Sequence, residues 1–254
     1  MGTSLVFASG KGGVGKTQTV INLGTALAQH GHNVTIVEGN LITPNLAIYF
    51  GIPLHAKTLN DIIRGDASID EATYVHEETG LLLIPANIQL HAHNDISSRA
   101  LRNTIRDIKK HTDTVIVDCV SSLGDEVSEI IKSADKAVIV TNPELPAMAD
   151  AYKTIRLTRH LGTQVAGVVV TRTGRFKGEL SDDEINTLLE GTQVIGKIPE
   201  DHRVPMASSR SEPVVLAYPH SRASRAYKRL ASSMLGKEYS EFGFAEDVLN
   251  SLQP

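Results

Sequence analysis

The sequence has a single cysteine, no apolar run of membrane-spanning length and no large excess of charge of either sign. Each absence excludes a class of protein. Cys119 alone permits no disulfide framework, no four-cysteine metal site and no C-x-x-C pair of the kind that holds an iron–sulfur cluster. A membrane-crossing helix needs roughly 18 apolar residues in succession, and the runs here are the size of Ala137–Val140 and Val168–Val170. A formal net charge of −4 provides no overall field that would draw the chain onto nucleic acid or anionic lipid. Charged residues at 21% and hydrophobic residues at 41% exclude a disordered chain, and 20 glycines with 10 prolines exclude a collagen-like or low-complexity one. The start, Met1-Gly2-Thr3-Ser4-Leu5-Val6, lacks the Ser or Thr that a myristoylation signal carries at its sixth position. With neither a disulfide set nor a signal peptide, a cytoplasmic location is expected.

What is present is 254 residues, a length that one α/β domain commonly fills. Short apolar, β-branched runs alternate with longer helical patterns. Strands are predicted at Ser4–Ala8, Asn33–Val37, Leu81–Pro85, Thr114–Asp118, Lys136–Thr141, Gln164–Thr171 and Gln193–Ile198. Several are apolar almost throughout, as strands covered on both faces are. Helices are predicted near 16–30, 97–110, 125–132, 147–160, 182–190 and 221–235. Ser181 with Glu184 and Ser68 with Glu71 read as capping boxes, and Gly31 as the close of the first long helix. The alternation predicts an α/β fold with a mostly parallel, doubly wound sheet.

The strongest motif is Gly10-Lys11-Gly12-Gly13-Val14-Gly15-Lys16-Thr17, which matches G-x-x-x-x-G-K-[ST]. An apolar run, Leu5–Ala8, leads into it, and a helix with Val20, Ile21, Leu23 and Leu27 leads out. Glycines let the backbone curl round a phosphate with its N–H groups inward, and the helix aims its positive end at the same anion. On this reading Lys16 reaches the β- and γ-phosphates and the Thr17 hydroxyl ligates Mg2+.

The second lysine, Lys11, makes this K-G-G-V-G-K-T, the deviant Walker A signature. The chain thereby resembles the ParA/MinD family of P-loop ATPases over roughly residues 1–235, most closely its MinD-like members. Thr141-Asn142-Pro143-Glu144 with Asp150, Val169-Val170-Thr171-Arg172, Ile198-Pro199-Glu200-Asp201 and Glu212-Pro213-Val214-Val215 resemble further family segments. The resemblance implies a single three-layer P-loop NTPase domain over 1–236, with ATP and Mg2+ at the C-terminal ends of the strands. It implies nucleotide contacts from the loop, Gln18, Thr171, Arg172 and Pro199, and a Walker B role for Asp118, at the end of the fourth strand, in holding the magnesium's water shell. It implies that Lys11 acts in trans across an ATP-bridged dimer, a homodimer or one with a paralogue, and that Lys16 acts in cis. A protein partner near the Asp150 helix is implied too, with recruitment to a membrane or pole through that partner.

The switch segments depart from the family pattern. Where the family has D-x-D after the second strand, this chain has Glu38-Gly39-Asn40, followed by the family-like Pro44-Asn45-Leu46. An asparagine hydrogen-bonds a water but neither accepts its proton nor polarises it with a negative charge. In place of D-S-P-A-G stands Asp118-Cys119-Val120-Ser121-Ser122, with Val120 for the proline and Ser122 for the glycine. Phosphate-binding groups are intact and hydrolysis groups altered, so binding with slow hydrolysis is expected. Two alternatives stand beside the MinD-like regulator: a nucleotide-locked scaffold and a ParA-like DNA-binding partition ATPase.

Other clusters carry less. His91, His93 and Asp95 lack further ligands at metal-site spacing. Arg203, Arg210, Arg222, Arg225, Lys228 and Arg229 make a basic C-terminal quarter, but nearby acids balance it and no DNA partner is expected. The tail, 237–254, interleaves Phe242, Phe244, Val248 and Leu249 with Glu238, Glu241, Glu246 and Asp247. Anionic headgroups repel such a segment, which fits packing or partner docking better than direct membrane binding.

Overall fold

The computed structural model describes residues 2–41, 43–53, 56–87, 98–122 and 124–240. In chain order the elements are β1 (Thr3–Ser9), α1 (Lys16–Gln29), β2 (Val34–Glu38), α2 (Leu46–Tyr49), α3 (Leu59–Arg64), α4 (Ile69–Ala72), β3 (Tyr74–His76), β4 (Leu81–Ile84), α5 (Ser98–Ile108), β5 (Thr114–Ser121), α6 (Asp125–Lys132), β6 (Lys136–Thr141), α7 (Leu145–His160), β7 (Gln164–Thr173), α8 (Asp182–Leu188), β8 (Val194–Pro199), α9 (Arg203–Ser208), α10 (Val214–Ala217) and α11 (Arg222–Met234). The strands form one eight-stranded sheet in the order β3-β4-β2-β5-β1-β6-β7-β8. Every pairing is parallel except the antiparallel β3–β4 edge.

Residues of one strand alternate between two cores, which is why the strands are apolar throughout. Leu5, Phe7, Ile36, Ile116, Val138 and Val169 pack under α1 and α11 with Ile21, Leu27, Tyr227 and Leu230. Val6, Ala8, Val37, Val117, Ile139 and Val168 face the opposite layer, where Ile105, Val127, Ile131, Met148 and Ile155 cover them. The result is the expected three-layer α/β sandwich. Register then aligns the chemistry: Phe7 and Glu38 both stand level with Asp118 on the neighbouring strand β5.

The structure departs from the sequence expectations in places. β5 runs on to Ser121, so Asp118 lies inside the strand rather than at its end, and the β1–β5 register shifts between Phe7 and Ser9. The antiparallel strand β3 was not anticipated, because three residues are too few for a period of two to show. Likewise α2, α3, α9 and α10 span four to six residues and carry no readable helical period. α7 begins at Leu145, two residues early, since Pro146 is tolerated in a first turn. Both predicted capping boxes are present, at α4 and α8. His91, His93, Asp95 and the tail beyond Ser240 lie outside the described residues. Among the described residues no helix is long and apolar enough to cross a membrane.

One polar knot ties three elements at the sheet's lower rim. Asp135, ahead of β6, accepts from the Ser4 N–H at 2.8 Å, the Ser4 hydroxyl at 2.9 Å and the Lys109 ammonium beyond α5. Burial alone would raise its pKa, but these three donors outweigh that and hold it below the ordinary carboxylate range. A carboxylate depressed in the folded state stabilises the fold above its unfolded pKa, and that contribution is lost as pH falls through the folded value. Asp135→Asn should therefore cost about 1 kcal/mol at neutral pH. Urea denaturation across pH should show the difference from the native chain shrinking below the usual carboxylate range.

Candidate nucleotide-binding site

The glycine-rich loop bridges the end of β1 and the start of α1, which opens at Lys16 with Gly15 as a left-handed N-cap (φ 84°). Gly10 is required by proximity: a Cβ there would sit 2.7 Å from the Asp150 carbonyl oxygen and 2.8 Å from the Thr154 hydroxyl on α7. The loop is held from behind by Thr171 of β7. Its buried hydroxyl lies against the Val14 carbonyl, 2.9 Å from Asn142 Oδ1 and 3.1 Å from the Thr141 carbonyl. A single hydroxyl proton thus sits among acceptors from the loop, β6 and the segment after it.

Lys16 and Thr17 converge on Asp118. The Lys16 ammonium pairs with Asp118 Oδ1, and the Thr17 hydroxyl donates to Oδ2 at 2.6 Å. Lys16 is 5% and Asp118 1% exposed, so this is a buried ion pair that an apolar interior would not tolerate unpaired. On the next strand, Glu38 is equally buried. Its Oε2 accepts from the Asn45 and Leu46 N–H groups, each at 2.8 Å, and its Oε1 from the Asn40 N–H at 3.3 Å. Burial, reinforced by the negative charge of Asp118, pushes the Glu38 carboxyl up to about 8, against the opposing pull of the two amides and Lys16. Burial also pushes the Cys119 thiol up to about 12.

Asn40 closes on its own loop. Its Nδ2 donates to the Thr43 carbonyl at 2.7 Å, and its Oδ1 accepts from the Thr43 N–H at 3.1 Å. Lys11 also pairs within its own chain: its ammonium lies 3.7 Å from Glu144 Oε2, while Arg175 takes the other oxygen at 3.8 Å. The Arg175 loop is shaped by Glu179, whose carboxylate accepts from the N–H groups of Gly174, Arg175 and Phe176.

Beside the loop opens a pocket of about 300 Å³, lined by Gly15, Gln18, Thr171, Arg172 and Pro199, and by Tyr49, Ser208 and Tyr227 among others. Arg172 takes a left-handed backbone (φ 56°) where the β7–β8 register shifts, and its side chain lies 3.8 Å from Glu200. Gln18 donates to the Ser208 hydroxyl at 3.0 Å, joining α1 to α9. Tyr227 is fully buried, and burial pushes its phenol up to about 12.

This geometry has close counterparts. Residues 1–235 match the ParA family, under the description NUBPL iron-transfer P-loop NTPase. The chain belongs to the ParA family of P-loop NTPases. An uncharacterized ATP-binding protein of Methanocaldococcus jannaschii is 36% identical over 239 residues, covering 94% of this chain and 90% of that protein. The septum site-determining protein MinD of Bacillus subtilis is 33% identical over 245 residues, covering 93% and 90%. Among solved structures, MinD from Pyrococcus horikoshii complexed with Mg-ADP superposes with a TM-score of 0.87 at 27% identity, over 92% of this chain and 96% of that one. This ParA-family member has no second cysteine to pair with the buried Cys119.

Of the residues singled out in the sequence, the structure brings together Lys16, Thr17 and Asp118, and separately Gly15, Gln18, Thr171, Arg172 and Pro199 around the pocket. Asn40 and Lys11 make their described bonds elsewhere, to Thr43 and Glu144. Sequence reasoning gave no role to Tyr49, Ser208 or Tyr227, which distant short helices and α11 deliver to the pocket. It named Glu38 only within the altered D-x-D segment and gave it no role, although a carboxylate closing the apolar run of β2 was a visible signal.

Thr171→Val should leave the Val14 carbonyl and Asn142 without their donor and lower stability by about 1–3 kcal/mol. Chemical denaturation should show that loss, with Thr171→Ser recovering most of it. The thiol of Cys119 should resist alkylation at pH 8 in the folded protein and react fully in denaturant, as mass spectrometry would record.

Proposed function

We propose that this ParA-family chain is a MinD-like, ATP-binding spatial regulator, for cell division or for placing another cellular machine. Its output is ATP-dependent dimerisation, as a homodimer or with a paralogue, and its hydrolysis is slow. The observation that carries the reading is the convergence of Lys16 and Thr17 on Asp118 beneath a glycine loop that Thr171 anchors. The loop's backbone and Lys16 would hold the phosphates. A hard-oxygen pair, the Asp118 carboxylate and the Thr17 hydroxyl, fits Mg2+. The ion, when bound, supplies charge neutralisation between the phosphates. The relative from Pyrococcus horikoshii, solved with Mg-ADP, supports the same ligand here.

Slow hydrolysis rests on Asn40. Its amide is spent on Thr43, and it offers no carboxylate to polarise a water. The same observation supports the second reading, a nucleotide-locked scaffold or heterodimer partner of a true ATPase. A DNA-binding role has less support. Lys228 is buried with its ammonium on the Pro219 carbonyl, and Arg210 and Arg229 lie over the rings of Tyr218 and Tyr239. That last contact packs the start of the 237–254 segment against α11, which favours packing or partner docking for the tail. Leu145, exposed beside Glu144 at the start of the Asp150 helix, is offered as part of a partner surface. A cytoplasmic location, with recruitment to a membrane or pole through that partner, accompanies this reading.

Single-turnover hydrolysis and size-exclusion light scattering with Mg-ATP, on the native chain and on Asn40→Asp, test it. The native chain should form a stable dimer, and Asn40→Asp should turn over about 10²-fold faster or more. A native rate that the substitution does not raise would overturn the assignment of Asn40 as the missing carboxylate.

A further inference from the structure

The short helix α2 touches both halves of the candidate site. At its start, the Leu46 N–H, with that of Asn45, is held by the carboxylate of Glu38, which stands level with Asp118 across the sheet. At its end, Tyr49 lines the pocket beside Gly15 and Gln18. The two points are three residues apart, about 4.5 Å along a helix axis. Leu46 and Ala47 are buried in the core, and Phe50 sets its ring edge-on against His76 with centroids 5.5 Å apart, so the turn is clamped as one piece.

The pocket has the character of a nucleoside site rather than a phosphate site. Ile198, Pro199, Val204 and Pro205 join Tyr49 in an apolar wall, and the volume of about 300 Å³ lies within the usual range for small-molecule pockets. The ammonium and carboxylate that answer to phosphate and metal, Lys16 and Asp118, are not among its lining residues. Tyr49 is half-buried there, and among the described residues no partner takes its hydroxyl. An aromatic ring with a spare O–H, facing an apolar wall, suits a base or ribose edge.

We propose that Tyr49 contacts the nucleoside half of the bound nucleotide and that α2 passes this contact, through the amides held by Glu38, to the Asn40 loop. This rests on the nucleotide reading above, and the loop motif gives Tyr49 no role. Occupancy of the pocket then steadies the segment that abuts the hydrolytic end, so that nucleoside and phosphate ends are read together rather than separately.

The test uses two ligands that share a diphosphate, Mg-ADP and Mg-pyrophosphate, with calorimetry and peptide-level hydrogen exchange over residues 43–50. For Tyr49→Ala, ADP affinity should fall about tenfold, with pyrophosphate affinity changed less than twofold; Tyr49→Phe, keeping the ring and losing the hydroxyl, should lose about threefold for ADP. In the native chain ADP should slow exchange in peptides carrying the Asn45 and Leu46 amides more than pyrophosphate does, and Tyr49→Ala should abolish that difference. Equal losses for both ligands, an unchanged ADP affinity, or the same protection from both ligands would each overturn the proposal. If the native chain binds pyrophosphate and ADP but Tyr49 does not matter, only the role of Tyr49 and α2 falls. If it binds neither, the nucleotide reading falls with it.

Discussion

The carboxylate of Asp118 is the constraint on which the site depends. It lies within the sheet with almost no contact with water. A bare charge there would be expelled or neutralised, so the fold must bring compensating donors to it. Lys16 and Thr17 are those donors, and both belong to the first turn of α1. The ion pair therefore fixes where α1 begins relative to β5, and with it the glycine loop between. The Thr171 hydroxyl and the close approach of Gly10 to α7 hold that loop from its other sides. A cradle made of backbone amides is thus held by side chains from three separate parts of the chain.

Next to this pair the sheet places a second buried carboxyl, with a different environment. Glu38 has no cation of its own: burial, reinforced by the charge of Asp118, raises its pKa against the pull of the two backbone amides it accepts from and of Lys16, the lysine that pairs with Asp118. The two acids share a rung of the sheet but serve different ends. One organises the phosphate loop, and the other organises the turn that carries Asn40 and opens α2. An aspartate in place of Asn40 would add a negative charge to an end of the sheet that already holds the Asp118 carboxylate. The asparagine avoids that repulsion and instead closes its loop through Thr43.

Much of this was legible in the residues themselves. The strands were readable because burial on both faces demands unbroken apolar runs, and the long helices because their periods repeat over several turns. The glycine loop was readable because its chemistry needs those residues at that spacing between a strand and a helix. The shorter pieces were not, because α2, α9 and β3 span too few residues to show a period and owe their form to packing. Those same pieces supply Tyr49 and Ser208 to the pocket, so the pocket was the less visible half of the candidate site.

Local sequence by itself determined the glycine loop with Lys16 and Thr17, a matter of side-chain chemistry at a set spacing, whereas Asp118 and Asn40 were singled out by resemblance to the family. Tertiary structure alone decided that Lys16 and Thr17 meet on Asp118 some hundred residues away, that Lys11 rests against Glu144, and that Glu38 reaches the start of α2 while Tyr49 turns its other end into the pocket. The reason is physical: a period or a motif reports on neighbours along the chain. Pairing across a parallel sheet is set by which strands lie side by side, and no local pattern records that order.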